Sequence, residues 1–436
     1  MDIDLKAIKR IHFIGIGGIG ISALARMMLL EGKEVTGSDR GESEVTRELL
    51  RAGIQVFIGH EARYIPENTD LVVYTIAIPS ENPELVEAQR RGVPVVTYPE
   101  LLGHVSAGKY TIAVSGTHGK TTTTAMIAKV MIDAGLEPTV VVGSMMRHPK
   151  NPEERTNFIP GTGKYFVMEA CEYRRSFLNI QPTVLVVTNI DNDHLDYYKD
   201  IADIQSAFNE MARRLPADGF LVCNPDDSHI EQILHGIKGQ VQNWSLYDTQ
   251  KFSLHITGAH NRKNAQAVMA VADILGIPKA LAQHSLEEFP GTWRRFEYKG
   301  KTATGALVYD DYGHHPTEVA ATLQGAREKF GTKKIISVFQ PHLYSRTRDL
   351  FEQFTQCFVD ADEVVLAPIY AAREEDDGSI SSKMLADAIL FTGKKACSFH
   401  SFDEITDYVR AQVGENDVVL ISGAGDIYKV AEKLVM

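Results

Sequence analysis

The chain predicts an α/β protein of three successive units. Buried-strand runs alternate with amphipathic helical segments along its length, and two glycine-rich loops of phosphate-binding type each lie between such a strand and a helix. At 436 residues it is also too long for one ordinary core.

In the first unit IHFIGIG, SALARMMLLEG, EVTGSD, VTRELLRAG and QVFIG take strand and helix periods in turn. LVVYTIAI and VPVVTY then flank the helical PELVEAQRRG, so a Rossmann-like parallel sheet is expected over 1–106. LLGHVSAGK reads as a linker. The second unit, 107–288, opens at YTIAVSG and enters the helix TTTTAMIAKVMIDAG, which ends at Gly135. YFVMEA and VLVVTNI are apolar at nearly every position, as strands covered on both faces are. The helix NRKNAQAVMAVADILG, stopped by Gly276 and Pro278, closes this unit. The third, 289–436, begins near FPGTWRRFEYKG and carries ALVYDDYG, KKIISVFQ, EVVLAPIY and DVVLISGAG as strands.

Composition narrows the function. Hydrophobic residues at 44% and charged residues at 23% belong to a folded globular protein. A net charge of −12 excludes broad adhesion to nucleic acid but leaves small anionic ligands open. Cys171, Cys223, Cys357 and Cys397 are widely spaced with no C-x-x-C, which fits a reducing cytoplasm and neither a disulfide framework nor a zinc knuckle. The amino terminus lacks the pattern of a secretory signal, and no apolar run is long enough for membrane insertion.

Two motifs carry the chemistry. Gly15, Gly17, Gly18 and Gly20 lie between a strand and a helix, with Asp39 about 20 residues on, as in a dinucleotide fingerprint. Taken alone this leaves a NAD-dependent oxidoreductase open, yet such glycines admit any diphosphate to a helix N-terminus, a UDP-sugar included. The second motif runs from Ser115 to Thr123 and contains Gly116, Thr117, Gly119, Lys120, Thr121 and Thr122. Its N–H groups can cradle phosphates, Lys120 can neutralise their charge, and the Thr121 hydroxyl can hold Mg²⁺. The usual first glycine is replaced by Val114, so the loop is a shortened variant. A dehydrogenase uses no such loop and a simple NTPase needs no dinucleotide fold, whereas a ligase brings two such ligands together. A nucleotide-sensing protein without turnover is the remaining class.

At these residues the chain resembles the Mur ligase family of ATP-dependent amide ligases. The resemblance runs through GIGGIGISALA with GSD, YTIAIPSENPE, SGTHGKTTTTAMIA, VVTNIDNDHLDYY, GAHNRKN, WRRFEYKG, DDYGHHPTEV, FQPHLYSRTRDLF and LISGAGDIYKVA. It implies three domains: a UDP-binding Rossmann-like domain, a central ATPase domain and a C-terminal α/β domain that closes over the substrates. It also implies ATP with Mg²⁺ or Mn²⁺, and UDP-N-acetylmuramic acid and L-alanine as the joined partners, in a monomer or homodimer. Glu169 and His194 match metal positions beside Thr121, while Asn261, Arg295 and Asp311 match contacts to ATP. Lys120, His194, His342 and Arg346 are implied in catalysis. Ser38, Asp39, Tyr312, His314, His342 and Arg346 join the four glycines of the first loop in substrate binding.

Four departures qualify this. The acidic stretch after Glu169 reads Ala170, Cys171, Glu172, with Glu172 the carboxylate available to compensate and Cys171 expected as a buried structural thiol. IQSAFNEMARR offers no lysine for carbamoylation, the NWSLYD to ITGAHN segment is short, and Leu343 replaces an expected arginine, leaving Arg346 as the clearest substrate cation. The nearest alternative is a murein-recycling branch of the family that attaches a preformed tripeptide.

Overall fold

The computed structural model describes residues 3–149, 151–195, 197–256, 258–372 and 374–435, apart from the side chain of Pro152. The chain is a mixed α/β protein with three sheets, grouped into two compact units: 1–248 with 265–286, and 249–264 with 287–436.

The first sheet contains β1 (Arg10–Ile14), β2 (Glu34–Asp39), β3 (Gln55–Ile58), β4 (Leu71–Tyr74) and β5 (Val95–Thr97), parallel throughout in the order β3-β2-β1-β4-β5. Helices α1 (Ile19–Leu30), α2 (Glu44–Arg51) and α3 (Pro83–Arg90) supply the crossovers. The strand order reverses at β1, which places a crevice beyond its carboxyl end, beside the glycine loop. The expected linker LLGHVSAGK is largely helical, within α4 (Tyr98–Ser106). Thr97 and Glu100 form a capping box, Pro99 fits the first turn, and Leu101, Leu102 and Val105 bury one face.

The second sheet, in the same unit, holds β6 (Tyr110–Ser115), β7 (Thr139–His148), β8 (Asn151–Ile159), β9 (Tyr165–Glu169), β10 (Val184–Val187), β11 (Phe220–Cys223) and β12 (Gln240–Asn243). Their order is β12-β11-β10-β6-β9-β7-β8. β6 and β10 lie mid-sheet and are almost wholly buried, as their apolar runs require. Helix α5 (Lys120–Asp133) leaves the phosphate-type loop and ends before Gly135, whose φ of +72° turns the chain. Helices α6 (Ile201–Ala212), α7 (Ser228–Glu231), α8 (Ala259–Ile274) and α9 (Lys279–Glu287) follow. The antiparallel β7–β8 hairpin reaches α1, where buried Asn157 donates to the Ile19 carbonyl at 2.5 Å and to Ser22 at 2.8 Å. On α4, a Cβ at Gly103 would stand 2.3 Å from the Asn179 carbonyl oxygen. These close approaches hold the first two sheets in one unit.

The second unit is built on β13 (Glu297–Lys301), β14 (Leu307–Asp311), β15 (Ile335–Phe339), β16 (Glu363–Leu366), β17 (Lys395–Ser398) and β18 (Val418–Ser422). They run in the order β13-β14-β18-β15-β16-β17, with β13 alone antiparallel to its neighbour. One face packs α10 (Pro316–Phe330), α12 (Phe351–Gln356) and α13 (Ser382–Phe391) through Leu323, Phe354 and Leu385. The other packs α14 (Phe402–Gln412) and α15 (Tyr428–Val435) through Ile405 and Val430. Helix α11 (Tyr344–Asp349) stands after β15 and carries Arg346. Among the described residues no helix is long and apolar enough to cross a membrane.

Candidate active site

Among the described residues, helices α1 and α5 of the first unit begin without side-chain caps. Gly18 precedes α1 and Gly119 precedes α5, and neither can cap, while α2, α3, α4 and α6 are capped by Ser43, Asn82, Thr97 and Asp200. Uncapped first-turn N–H groups at a positive dipole end suit phosphate oxygens.

The loop before α5 is compact. Val114 belongs to β6, so the loop proper is Gly116–Gly119, the shortened form read from the sequence. Gly116 has φ +127°, and a Cβ there would lie 2.1 Å from Thr188 Oγ1. Thr117 and His118 donate their N–H groups to the carbonyl and side-chain oxygens of Asn189, fixing the loop to the chain after β10. Lys120 Nζ donates to the Gly116 carbonyl at 2.5 Å, the Thr117 carbonyl at 3.0 Å and Glu172 Oε1 at 3.0 Å. Burial opposes its charge, but Glu172, Cys171 and Glu169 together outweigh that and hold the ammonium above the ordinary lysine range.

Thr121 and Glu169 are brought together as expected: the Thr121 hydroxyl lies 2.9 Å from Glu169 Oε2 and 3.1 Å from Oε1. His194, in a left-handed backbone conformation with φ +55°, places Nε2 3.8 Å from Glu172 Oε1. Glu172 is 2% exposed, and its Oε2 has no hydrogen-bond partner. A hydroxyl and a carboxylate in contact, beside a lysine and a buried, half-satisfied carboxylate, fit a hard divalent cation at a phosphate. Sequence reasoning missed Gly143 of β7. Its N–H donates to Glu169 Oε2 at 2.9 Å, and a Cβ there would lie 2.3 Å from that oxygen. The Gly-Ser pair interrupting a valine run was its signal.

The Cys171 expectation is corrected. The residue is exposed, not buried in the core, because β9 has ended at Glu169 and the chain turns along a cavity of about 180 Å³. That cavity is also lined by Gly20, Tyr98, Glu169 and Phe177. Desolvation against the cavity wall, with Glu172 next in effect, raises the thiol above the ordinary cysteine range.

In the first sheet the glycine loop is satisfied from within. Gly15 and Ile16 donate to the Ser38 carbonyl at 2.8 and 2.9 Å, Gly17 donates to Asp39 Oδ2 at 2.8 Å, and Gly18 donates to the Gly15 carbonyl. A Cβ at Gly17 would meet Asp39 and Thr46 within 3 Å, and one at Gly20 would meet Tyr98 at 2.7 Å. Ser38 is fully buried, its hydroxyl committed to Glu84.

In the second unit, Asp311 accepts from the N–H groups of Phe296 and Gly313, both at 2.8 Å, and so shapes the loop carrying Tyr312 and His314. The Arg295 guanidinium lies 5.2 Å from the Tyr312 ring centre, and Asn261 accepts from Asn264 at 3.2 Å. Arg346 Nη1 is 3.2 Å from His342 Nδ1, and the His342 ring stands 5.5 Å from His314 and 5.6 Å from Tyr370. Leu343, the departure from the arginine pattern, is buried with φ +68° and starts α11. The neighbour of Arg295 went unread: Arg294 is buried, paired with Asp310 at 3.0 Å, and donates to the carbonyls of Gly423 and Gly425.

A glycine-loop sheet and a phosphate-loop sheet in one unit, with a third α/β sheet after them, define an ATP-using ligase scaffold, and the chain belongs to the Mur ligase family. Residues 10–110 match the Mur ligase family catalytic domain, 114–251 the Mur ligase middle domain and 294–425 the Mur ligase glutamate ligase domain. More particularly, it is 42% identical to UDP-N-acetylmuramate–L-alanine ligase of Clostridium tetani over 98% of both chains. It is 43% identical to the enzyme of that name from Clostridium novyi over 97% of this chain and 96% of the other. The crystal structure of the UDP-N-acetylmuramate-alanine ligase of Thermotoga maritima is similar with a TM-score of 0.81 and 32% identity over 98% of each chain. A murein peptide ligase of Psychrobacter arcticus shares the fold, with a TM-score of 0.74 at 23% identity over 98% of each chain.

Proposed function

We propose that the chain joins the lactyl carboxylate of UDP-N-acetylmuramic acid to the amine of L-alanine, converting ATP to ADP and phosphate, as a cytoplasmic step of peptidoglycan precursor synthesis. The observation that carries this reading is full-length similarity to alanine-adding ligases in a chain whose phosphate loop sets Lys120 against Glu172 and Thr121 against Glu169.

The carboxylate oxygen attacks the γ-phosphorus, the bond to the bridging oxygen of ADP breaks, and an acyl phosphate forms. The amine of alanine then adds to the activated carbonyl, loses a proton, and expels phosphate. Anionic oxygens repel one another throughout, so the protein's task is electrostatic positioning. Lys120 turns from the loop carbonyls to the terminal phosphates, and the uncapped N–H groups of α5 take phosphate oxygens. Thr121 and Glu169, with His194 nearby, would hold Mg²⁺ or Mn²⁺, which would supply positive charge at those oxygens. The first loop, at α1, takes the diphosphate of the UDP-sugar. Asn261, Arg295 and Asp311 serve the base and ribose of ATP, with Tyr312 and His314 beside them. Arg346 with His342 holds the carboxylate of alanine in a planar fork.

Phosphate release measured with ATP, Mg²⁺ and UDP-N-acetylmuramate across L-alanine, glycine, L-serine and the tripeptide of the recycling branch tests this. Release that requires the UDP-sugar and L-alanine, with ADP as the nucleotide product, is expected. AMP as product, or release with the tripeptide and not with alanine, overturns the proposal.

A further inference from the structure

The first sheet contains a buried polar cluster that the proposed chemistry does not use. Glu84, in the first turn of α3, is fully buried and is faced by three polar groups from three other segments. Its Oε2 lies 2.7 Å from His12 Nε2 on β1. Its Oε1 accepts from Ser38 Oγ on β2 at 2.7 Å and lies 2.8 Å from Nδ1 of His60, which follows β3. His12 Nδ1 in turn lies 2.8 Å from Thr36 Oγ1. Such a carboxylate is costly to bury and persists only where its acceptors are filled. Four segments spread along the chain meet on it.

The cluster leads to the glycine loop. Ser38, tied by its side chain to Glu84, gives its carbonyl to the N–H groups of both Gly15 and Ile16. Asp39, the next residue, takes Gly17 N–H on its carboxylate and Gly59 N–H on its carbonyl, and Gly59 adjoins His60. The end of β2 therefore clamps three consecutive residues of the loop and is itself gripped by Glu84 and His60. We infer that Glu84 is a positioning residue for the diphosphate of the UDP-linked substrate, acting through Ser38 and His60 to hold the glycine loop in register at the start of α1. This rests on the assignment of that loop to the UDP-sugar.

The hydrogen-bond pattern makes the inference separable from simple stability. In Glu84→Gln the amide oxygen replaces Oε1 and keeps Ser38 and His60. The amide nitrogen replaces Oε2 and donates to His12 Nε2, provided His12 moves its proton to Nδ1 and donates to Thr36. The network closes again without the charge. Glu84→Ala strands His12 and leaves Ser38 and His60 only their 3.1 Å contact with each other, whereas Ser38→Ala removes the side-chain ties to Glu84 and His60 and keeps the carbonyl that holds the loop.

Calorimetry with UDP-N-acetylmuramate and with ATP, separately, on full-length wild type and the three variants is the test. Glu84→Ala should raise the Kd for the UDP-sugar by about tenfold or more while leaving that for ATP within about twofold, since misplaced binding groups lose affinity locally. Ser38→Ala should give a smaller rise of the same kind, and Glu84→Gln should return to within about threefold of wild type. If Glu84→Ala does not fold, Ser38→Ala decides: a selective rise supports the inference and an unchanged Kd overturns it. Equal weakening toward both ligands, or a lowered melting temperature with unchanged Kd, reduces the cluster to a stability element and overturns it as well. A wild type that does not bind UDP-N-acetylmuramate overturns the functional reading and this inference with it. A wild type that binds it, with Glu84→Ala binding equally, overturns the inference alone.

Discussion

The two glycine loops are built to the same plan and left in opposite states. Both follow a central parallel strand and open an uncapped helix. The first has its N–H groups at Gly15, Ile16, Gly17 and Gly18 satisfied by Ser38, Asp39 and its own turn. It is a finished cradle that needs no ligand to hold its shape. The second folds the ammonium of Lys120 back on its own carbonyls, beside a buried carboxylate with one oxygen unpaired. That difference supports the proposed division of labour, in which the first loop binds the UDP-sugar and the second serves the chemistry on ATP.

The sharpest way to break this contrast is Lys120→Ala. Removing the ammonium strands Glu172, which costs about 3 kcal/mol, so the melting temperature should fall. Turnover of the protein that remains folded should drop by about a thousandfold or more, because phosphoryl transfer depends on electrostatic positioning. Circular dichroism at the assay temperature separates the two effects. Near-normal turnover in the folded variant would mean that both loops only bind.

A smaller effect is expected in the second unit, where Arg346 stands against an imidazole at 3.2 Å. Arg346→Lys should raise the KM for alanine by about tenfold with ATP affinity held, because a lysine cannot give two parallel hydrogen bonds to one carboxylate. Alaninamide provides the comparison: wild type should strongly prefer alanine, and Arg346→Ala should discriminate far less. Retention of the full preference assigns the carboxylate to another residue. The smallest effect belongs to Cys171, which lines the cavity beside Glu169 with its thiol held protonated. Cys171→Ser should leave turnover within about twofold, since no covalent intermediate passes through it. A large loss would contradict that.

What the sequence made legible follows from how local each signal is. Strand, loop and helix of both glycine motifs lie within one continuous stretch, so YTIAVSGTHGKTTTT could be placed on β6 and α5 by pattern alone. The contact between Thr121 and Glu169 needed the family resemblance, since the two are far apart in the chain. α4 was misread because Gly103 and the Ala107–Gly108 pair look like loop residues, although Thr97 and Glu100 carry a helix start. The β7–β8 hairpin escaped because NPEERTNFI mixes polar and apolar positions without a clean alternation. Glu84, His12 and His60 were invisible as a cluster: each is an ordinary polar residue, and only the parallel sheet brings them together.

The division of labour between the loops is tested most directly by one pair of glycine variants measured against both ligands. A side chain at Gly17 collides with Asp39 and Thr46, and one at Gly116 collides with Thr188 in a left-handed turn, so each distorts its own loop first. Calorimetric titration of Gly17→Val and Gly116→Val with UDP-N-acetylmuramate and with ATP should show a crossed pattern. Gly17→Val should lose affinity for the UDP-sugar by about tenfold or more and keep ATP, and Gly116→Val should do the reverse. Parallel losses for both ligands in both variants, with the proteins folded, would contradict the account.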